Sequence, residues 1–163
     1  MNTLQSRKSV MIFVLSFTIA FGCFLNLPAV AQTNEQVAKE VIAITKAQWA
    51  AQSAKKPASV WMKTIADEYT EFNPDSPTRL DGKALNARLS DALSSGSGDF
   101  VADEMVNEKV QVYGDVAILS YNYVGVTKDK DGKVESSLAK STRVYVKKDG
   151  KWMLVHANFA SVN

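Results

Sequence analysis

The sequence predicts an α+β domain, with three helices on one face of a strongly bent antiparallel sheet of about four long strands. Two observations carry this. From Thr33 to Leu93 apolar residues recur at helical spacing, and from Phe100 onward the chain turns rich in β-branched and aromatic residues. A third observation sets the connections. The strand-like runs are separated by Tyr113-Gly114-Asp115, by Asp129-Lys130-Asp131-Gly132 and by Asp149-Gly150. Asp-Gly pairs favour tight hairpins, because the two central residues of that turn need positive φ.

The chain opens on a segment outside this domain. Arg7 and Lys8 precede an almost wholly apolar run from Val10 to Leu27, and Pro28-Ala29-Val30-Ala31 ends in the small-x-small pattern of a signal peptidase site. Residues 1–31 are therefore expected to be a signal peptide, cleaved after Ala31, with residues 32–163 as a single domain in the periplasm or secreted. Two alternatives stay open: the run 10–27 as a retained membrane anchor, and Cys23 as a lipid attachment site. Loss of Arg7 and Lys8 leaves seventeen basic residues against the seventeen acidic ones, a balance that speaks against nucleic-acid binding. Cys23 is the only cysteine of the whole chain, so the domain has no disulfide, thiolate nucleophile or zinc-thiolate site.

Thr33-Asn34-Glu35-Gln36 reads as a capping box that starts the first helix. Val37, Val41, Ile44 and Ala51 form its apolar stripe, flanked by Ala38, Ile42 and Trp49, with Lys39 and Lys46 opposite. Gln48 and Gln52 interrupt that stripe. A buried amide without a partner costs on the order of 1–3 kcal/mol, so they mark either a wet cavity or a frayed rim. Lys55-Lys56-Pro57 ends the helix. A shorter one is expected from Ser59 to Asp67, burying Trp61, Met62 and Ile65. Tyr69 to Phe72 can be extended, and Asn73-Pro74-Asp75-Ser76-Pro77 is a turn cluster. A third helix is expected from Gly82 to Leu93, with Leu85, Leu89 and Leu93 four apart, closed by Ser94-Ser95-Gly96-Ser97-Gly98. The long strands are then Phe100–Val112, Val116–Thr127, Glu135–Lys147 and Trp152–Val162.

Strict alternation assigns their faces. It groups Arg143 with Tyr145, and Tyr121 with Tyr123. It also groups Trp152, Leu154, His156 and Asn158 against Met153, Val155, Ala157 and Phe159. Large apolar groups on both faces of the final strand imply helices on one side and a second subunit on the other.

This order of elements resembles the NTF2-like superfamily, a cone that includes SnoaL-like polyketide cyclases, ketosteroid isomerase and the calcium/calmodulin-dependent protein kinase II association domain. The residues that carry the resemblance are Thr142-Arg143-Val144-Tyr145, Asp149-Gly150-Lys151-Trp152 and Val155-His156, similar to the last two strands of the association domain. The resemblance implies a homodimer through the sheet and a cup between helices and sheet. It also implies that Arg143 projects into that cup, where its guanidinium fork suits a carboxylate; the alternative is a sheet-edge arginine paired with Glu135 or another acid. Ketosteroid isomerase chemistry is not expected. The segment Ala66 to Pro74 is similar to the one that carries its base, but the matching residue is Asn73. The oxyanion tyrosine falls at Trp49 and the late-strand acid near Thr142.

The ligand-binding candidates are Trp49, Asn73, Tyr121, Tyr123, Arg143, His156 and Asn158. Catalytic candidates are His156 and Glu71. A lone histidine cannot build a multi-histidine metal site, and the superfamily's usual second histidine is Asn158 here. His156 is thus either a hydrogen-bonded structural residue or an acid–base group. No metal or cofactor is expected, since metal-ligand clusters and phosphate-cradling glycine loops are absent. The expected function is binding of a small, partly apolar molecule, with a carboxylate as the group Arg143 would hold. The alternatives are a SnoaL-like acid–base enzyme and a purely structural oligomerisation domain.

Overall fold

The computed structural model describes residues 32–94 and 99–162. The leader, its cleavage site after Ala31, the run 10–27 and Cys23 lie outside the described residues, as do residues 95–98 of the turn after the third helix.

Helix α1 (Asn34–Ser53) starts at the expected capping box: the Gln36 amide donates to Thr33 Oγ1 at 3.2 Å, and the Thr33 amide donates to Gln36 Oε1 at 2.8 Å. It ends on Lys55 at φ 50°, with Lys55 and Lys56 amides donating to the Gln52 and Ala51 carbonyls, a Schellman closure made without glycine. Val37, Val41, Thr45, Gln48 and Trp49 form its buried stripe.

The second helix is shorter than the sequence suggests. Helix α2 (Ala58–Trp61) tightens into a 3-10 turn at Met62–Thr64, and strand β1 (Ile65–Phe72) begins where a helix was expected to continue. The cause is tertiary: Ile65 pairs with Leu154 and Thr70 with His156 in a parallel ladder that no local pattern announces. A short strand β2 (Leu80–Asp81) pairs back onto β1, and helix α3 (Lys83–Ser94) follows. The long strands are β3 (Asp99–Tyr113), β4 (Val116–Lys128), β5 (Val134–Lys148) and β6 (Lys151–Ser161). The sheet thus has six strands, in the order β2-β1-β6-β5-β4-β3, antiparallel except between β1 and β6. Asp149 and Gly150, at φ 49° and 77°, make the two-residue turn between β5 and β6.

A bulge on β6 corrects the expected face assignment. Val144 pairs with His156 but Tyr145 pairs with Leu154, so Val155 is an extra residue. Beyond it the alternation inverts. Trp152 and Leu154 point into the core together with Ala157 and Phe159, while His156 and Asn158 turn to the outer face. A second bulge, at Asn107 and Glu108 with Asn107 at φ 54°, kinks the edge strand β3.

The core lies between α1 and the inner face of the sheet, centred on Val41, Leu119, Tyr145, Trp152 and Leu154. Urea unfolding should show Leu119→Ala losing about 2–5 kcal/mol, because Leu119 is fully buried and leaves a cavity. Thr33→Ala should lose about 1 kcal/mol through its cap alone.

Candidate functional site

Between α1 and the bent sheet lies a cavity of about 630 Å³, of a size that holds a small organic molecule. Its roof is Gln48, Trp49, Gln52 and Ser53 of α1; its floor is Tyr123, Arg143, Leu154 and Phe159. Glu71, Asn73 and the turn that follows close one side, and Leu89 and Leu93 of α3 stand at another.

Arg143 is the polar centre of this arrangement. It is 6% exposed, on the inner face of β5. Its Nε donates to Tyr121 Oη at 3.0 Å and its Nη1 to Gln48 Oε1 at 2.7 Å, while its guanidinium lies over the Phe159 ring, 5.4 Å from the centroid. Burial works against its charge, but the phenol oxygens of Tyr121, Tyr145 and Tyr69 around it hold its pKa above the ordinary guanidinium value. A guanidinium does not deprotonate in proteins, so Arg143 is a permanent cation. Among the described residues no carboxylate forms a salt bridge with it, and Glu135, its alternative partner, pairs with Lys133 instead.

Gln48 explains the amide inside the apolar stripe. It accepts from Arg143 and donates from Nε2 to Thr64 Oγ1 at 2.9 Å, so a single side chain joins α1, the sheet and the turn before β1. Trp49 sits edge-on to Tyr123 (5.2 Å, 80°) and tilted against Tyr121 (5.4 Å, 58°). Glu71 and Asn73 share a face, as their spacing implies: Asn73 Nδ2 donates to Glu71 Oε1 and Tyr69 Oη donates to Glu71 Oε2, both at 2.6 Å.

Of the sequence candidates, Trp49, Glu71, Asn73, Tyr123 and Arg143 line the cavity. Tyr121 stands behind the wall as a support for Arg143. His156 and Asn158 do not reach it, because the Val155 bulge turns them outward. His156 Nδ1 instead meets Thr70 Oγ1 at 2.8 Å, and its ring stands edge-on to Phe72. Asn158 lines a polar groove on the outer face with Thr142, Asn122 and Lys140. Thr142 too faces away from the cup, so the position next to it, Arg143, is the one that looks inward. Among the described residues no group of three histidine, cysteine or carboxylate side chains is placed to hold a metal ion.

Three residues were not anticipated. Tyr69 is buried beside Glu71 and lines the cavity. Asp103 reaches the cavity from β3 and accepts from Ser53 Oγ at 3.0 Å. Gly125 lets the Tyr123 ring lie along the sheet, since a Cβ there would come 2.5 Å from Tyr123 Oη. A glycine inside a strand is the one advance signal among them. Ser141 Oγ, on the same face as Arg143, is buried without a hydrogen-bond partner among the described residues.

A bent sheet with helices packed on one face around a cavity defines the NTF2-like class. The family model of the calcium/calmodulin dependent protein kinase II association domain matches residues 37–161, nearly all of the described fold. The chain belongs to that family. The association domain of Caenorhabditis elegans calcium/calmodulin-dependent protein kinase II superposes with a TM-score of 0.64 at 20% identity, over 78% of this chain and 97% of its own. The hub homology domain of Chlamydomonas reinhardtii gives 0.67 at 24%, over 78% and 99%. An NTF2-like superfamily protein of Salmonella enterica gives 0.66 at 14%, over 80% and 94%. At these identities the likeness is one of fold. No curated protein matches the sequence.

The tyrosines around Arg143 predict alkaline sensitivity. Burial pushes Tyr69 and Tyr145 above the ordinary phenol value of 10.0, with the Glu71 carboxylate adding to the shift at Tyr69 and Arg143 opposing it at Tyr145. A raised folded-state pKa stabilises fully below the unfolded value and is lost as pH rises above it. Thermal unfolding followed from pH 8 upward should therefore fall beyond about pH 10, and Tyr69→Phe should flatten that fall. Ser141→Ala should cost no stability, since its hydroxyl is already desolvated without a partner.

Proposed function

We propose that this protein is an exported, self-associating domain that binds a small, partly apolar, carboxylate-bearing molecule in the cup between helices and sheet. The single observation behind this reading is the permanent cation of Arg143, buried on the cavity wall, held by neutral partners and paired with no carboxylate among the described residues. A buried charge that lacks a counter-ion is an anion receptor in waiting, and the guanidinium fork matches a carboxylate in shape. Trp49, Tyr123, Leu154 and Phe159 supply the apolar wall for the rest of the ligand.

Self-association is proposed through the outer face of the sheet. Val116, Ile118, Val144, Val146 and Met153 lie there half-exposed, a stripe of branched and apolar side chains of the kind a second sheet covers. Membership of an association-domain family supports the same reading. Acid–base catalysis is the second reading, and it rests on Glu71, the carboxylate that Tyr69 and Asn73 aim along the cavity wall. Under it Glu71→Gln abolishes turnover of a small organic substrate but spares binding.

Native mass spectrometry of the protein from its exported fraction tests the first reading. The expected result is a dimer that carries a defined small-molecule mass, lost in Arg143→Ala. A dimer with nothing bound would favour a turnover enzyme or a structural module. Val144→Asp should yield monomers with native circular dichroism; a persistent dimer would move the interface off the sheet.

A further inference from the structure

Arg143 is not the only charged group on the cavity wall. Its lining carries one basic side chain, Arg143, against three acids, Glu71, Asp75 and Asp103. A plain carboxylate would satisfy Arg143 and deepen an excess of negative charge. A ligand with a positive end would correct it.

Of the three acids, Asp103 is the best placed to receive that end. Both oxygens of Glu71 are engaged, by Tyr69 and Asn73. Asp75 is exposed at the mouth. Asp103 is half-buried; its Oδ2 accepts from the Ser53 hydroxyl, a neutral donor, and among the described residues no cation forms a salt bridge with it. Tyr123 lies beside it: the Asp103 charge, after burial, helps to push the Tyr123 phenol up. With Trp49 edge-on to Tyr123, this end of the cavity pairs a carboxylate with aromatic rings, the combination that favours a cation.

Two rulers give the separation of the charges. On the roof, Arg143 is tied to Gln48 and Asp103 to Ser53, five residues on along α1, or roughly 7.5 Å of helix rise. On the floor, the guanidinium lies over Phe159, which pairs with Ser141 and through it with Tyr121, whereas Asp103 pairs with Gly125. Four residues of strand span roughly 13 Å. The two charges are therefore on the order of 10 Å apart, at either end of an apolar and aromatic wall.

We infer that the ligand is amphoteric: an ω-ammonium carboxylate or its chemical equivalent, carboxylate on Arg143, ammonium on Asp103, with an apolar chain between them. This rests on the anion-binding reading of Arg143 and sharpens it. The experiment is isothermal titration of the purified protein with 8-aminooctanoate and with octanoate, which differ only in the amine. The expected result is binding of both, with the amino acid about tenfold tighter, as a charge-assisted hydrogen bond supplies. In Asp103→Asn the ratio of the two affinities should fall to near one. 5-Aminopentanoate, too short to bridge the gap, should gain nothing over pentanoate. Equal or weaker binding of 8-aminooctanoate in the wild type overturns the amphoteric ligand and leaves the anion site standing. A preference that survives Asp103→Asn overturns the role of Asp103. Binding of neither probe overturns the anion site and the amphoteric ligand together.

Discussion

The hydrogen bonds of Arg143 hold the two layers of this domain in relation to each other. Removing a guanidinium from water costs several kcal/mol unless other dipoles replace the water, and here Tyr121 and Gln48 do so from opposite sides. One partner belongs to the sheet and the other to α1, so the charge cannot be solvated unless the helix sits where it does. Thr64 takes the other end of Gln48 and extends the link to the start of β1. The cavity is the space this bracing leaves open, because polar groups that must reach one another keep apolar ones from closing over it.

Much of the fold was legible from local chemistry. The Thr33 capping box, the Asp149-Gly150 turn and the alternation of β4 and β5 are each decided within a few residues, and each stands where the sequence puts it. Leu85, Leu89 and Leu93 also lie on one helix, although Leu89 and Leu93 are exposed at the cavity mouth. What could not be read was pairing at long range. Residues Ile65 to Asp67 look helical beside Trp61 and Met62, and they become strand only because β6, nearly ninety residues on, offers a parallel edge.

The site divides along the same line. Arg143 and Trp49 could be placed because the stretches around them keep a regular period. His156 and Asn158 could not, because one inserted residue reverses every face after it, and no composition signal distinguishes Val155 from its neighbours. In the sequence Asp103 is one acid among many on a strand that otherwise looks solvent-facing. Its partner Ser53 sits at the end of a helix fifty residues earlier.

The place of β6 has a consequence for how the chain is made. Strand β6 is an interior strand, between β1 and β5, so β1 has no long neighbour until β6 has been made. Pairings of this kind carry a high loop-closure cost and form late. Until β6 is in place the sheet stays divided, with β1 and β2 apart from the β3-β4-β5 meander.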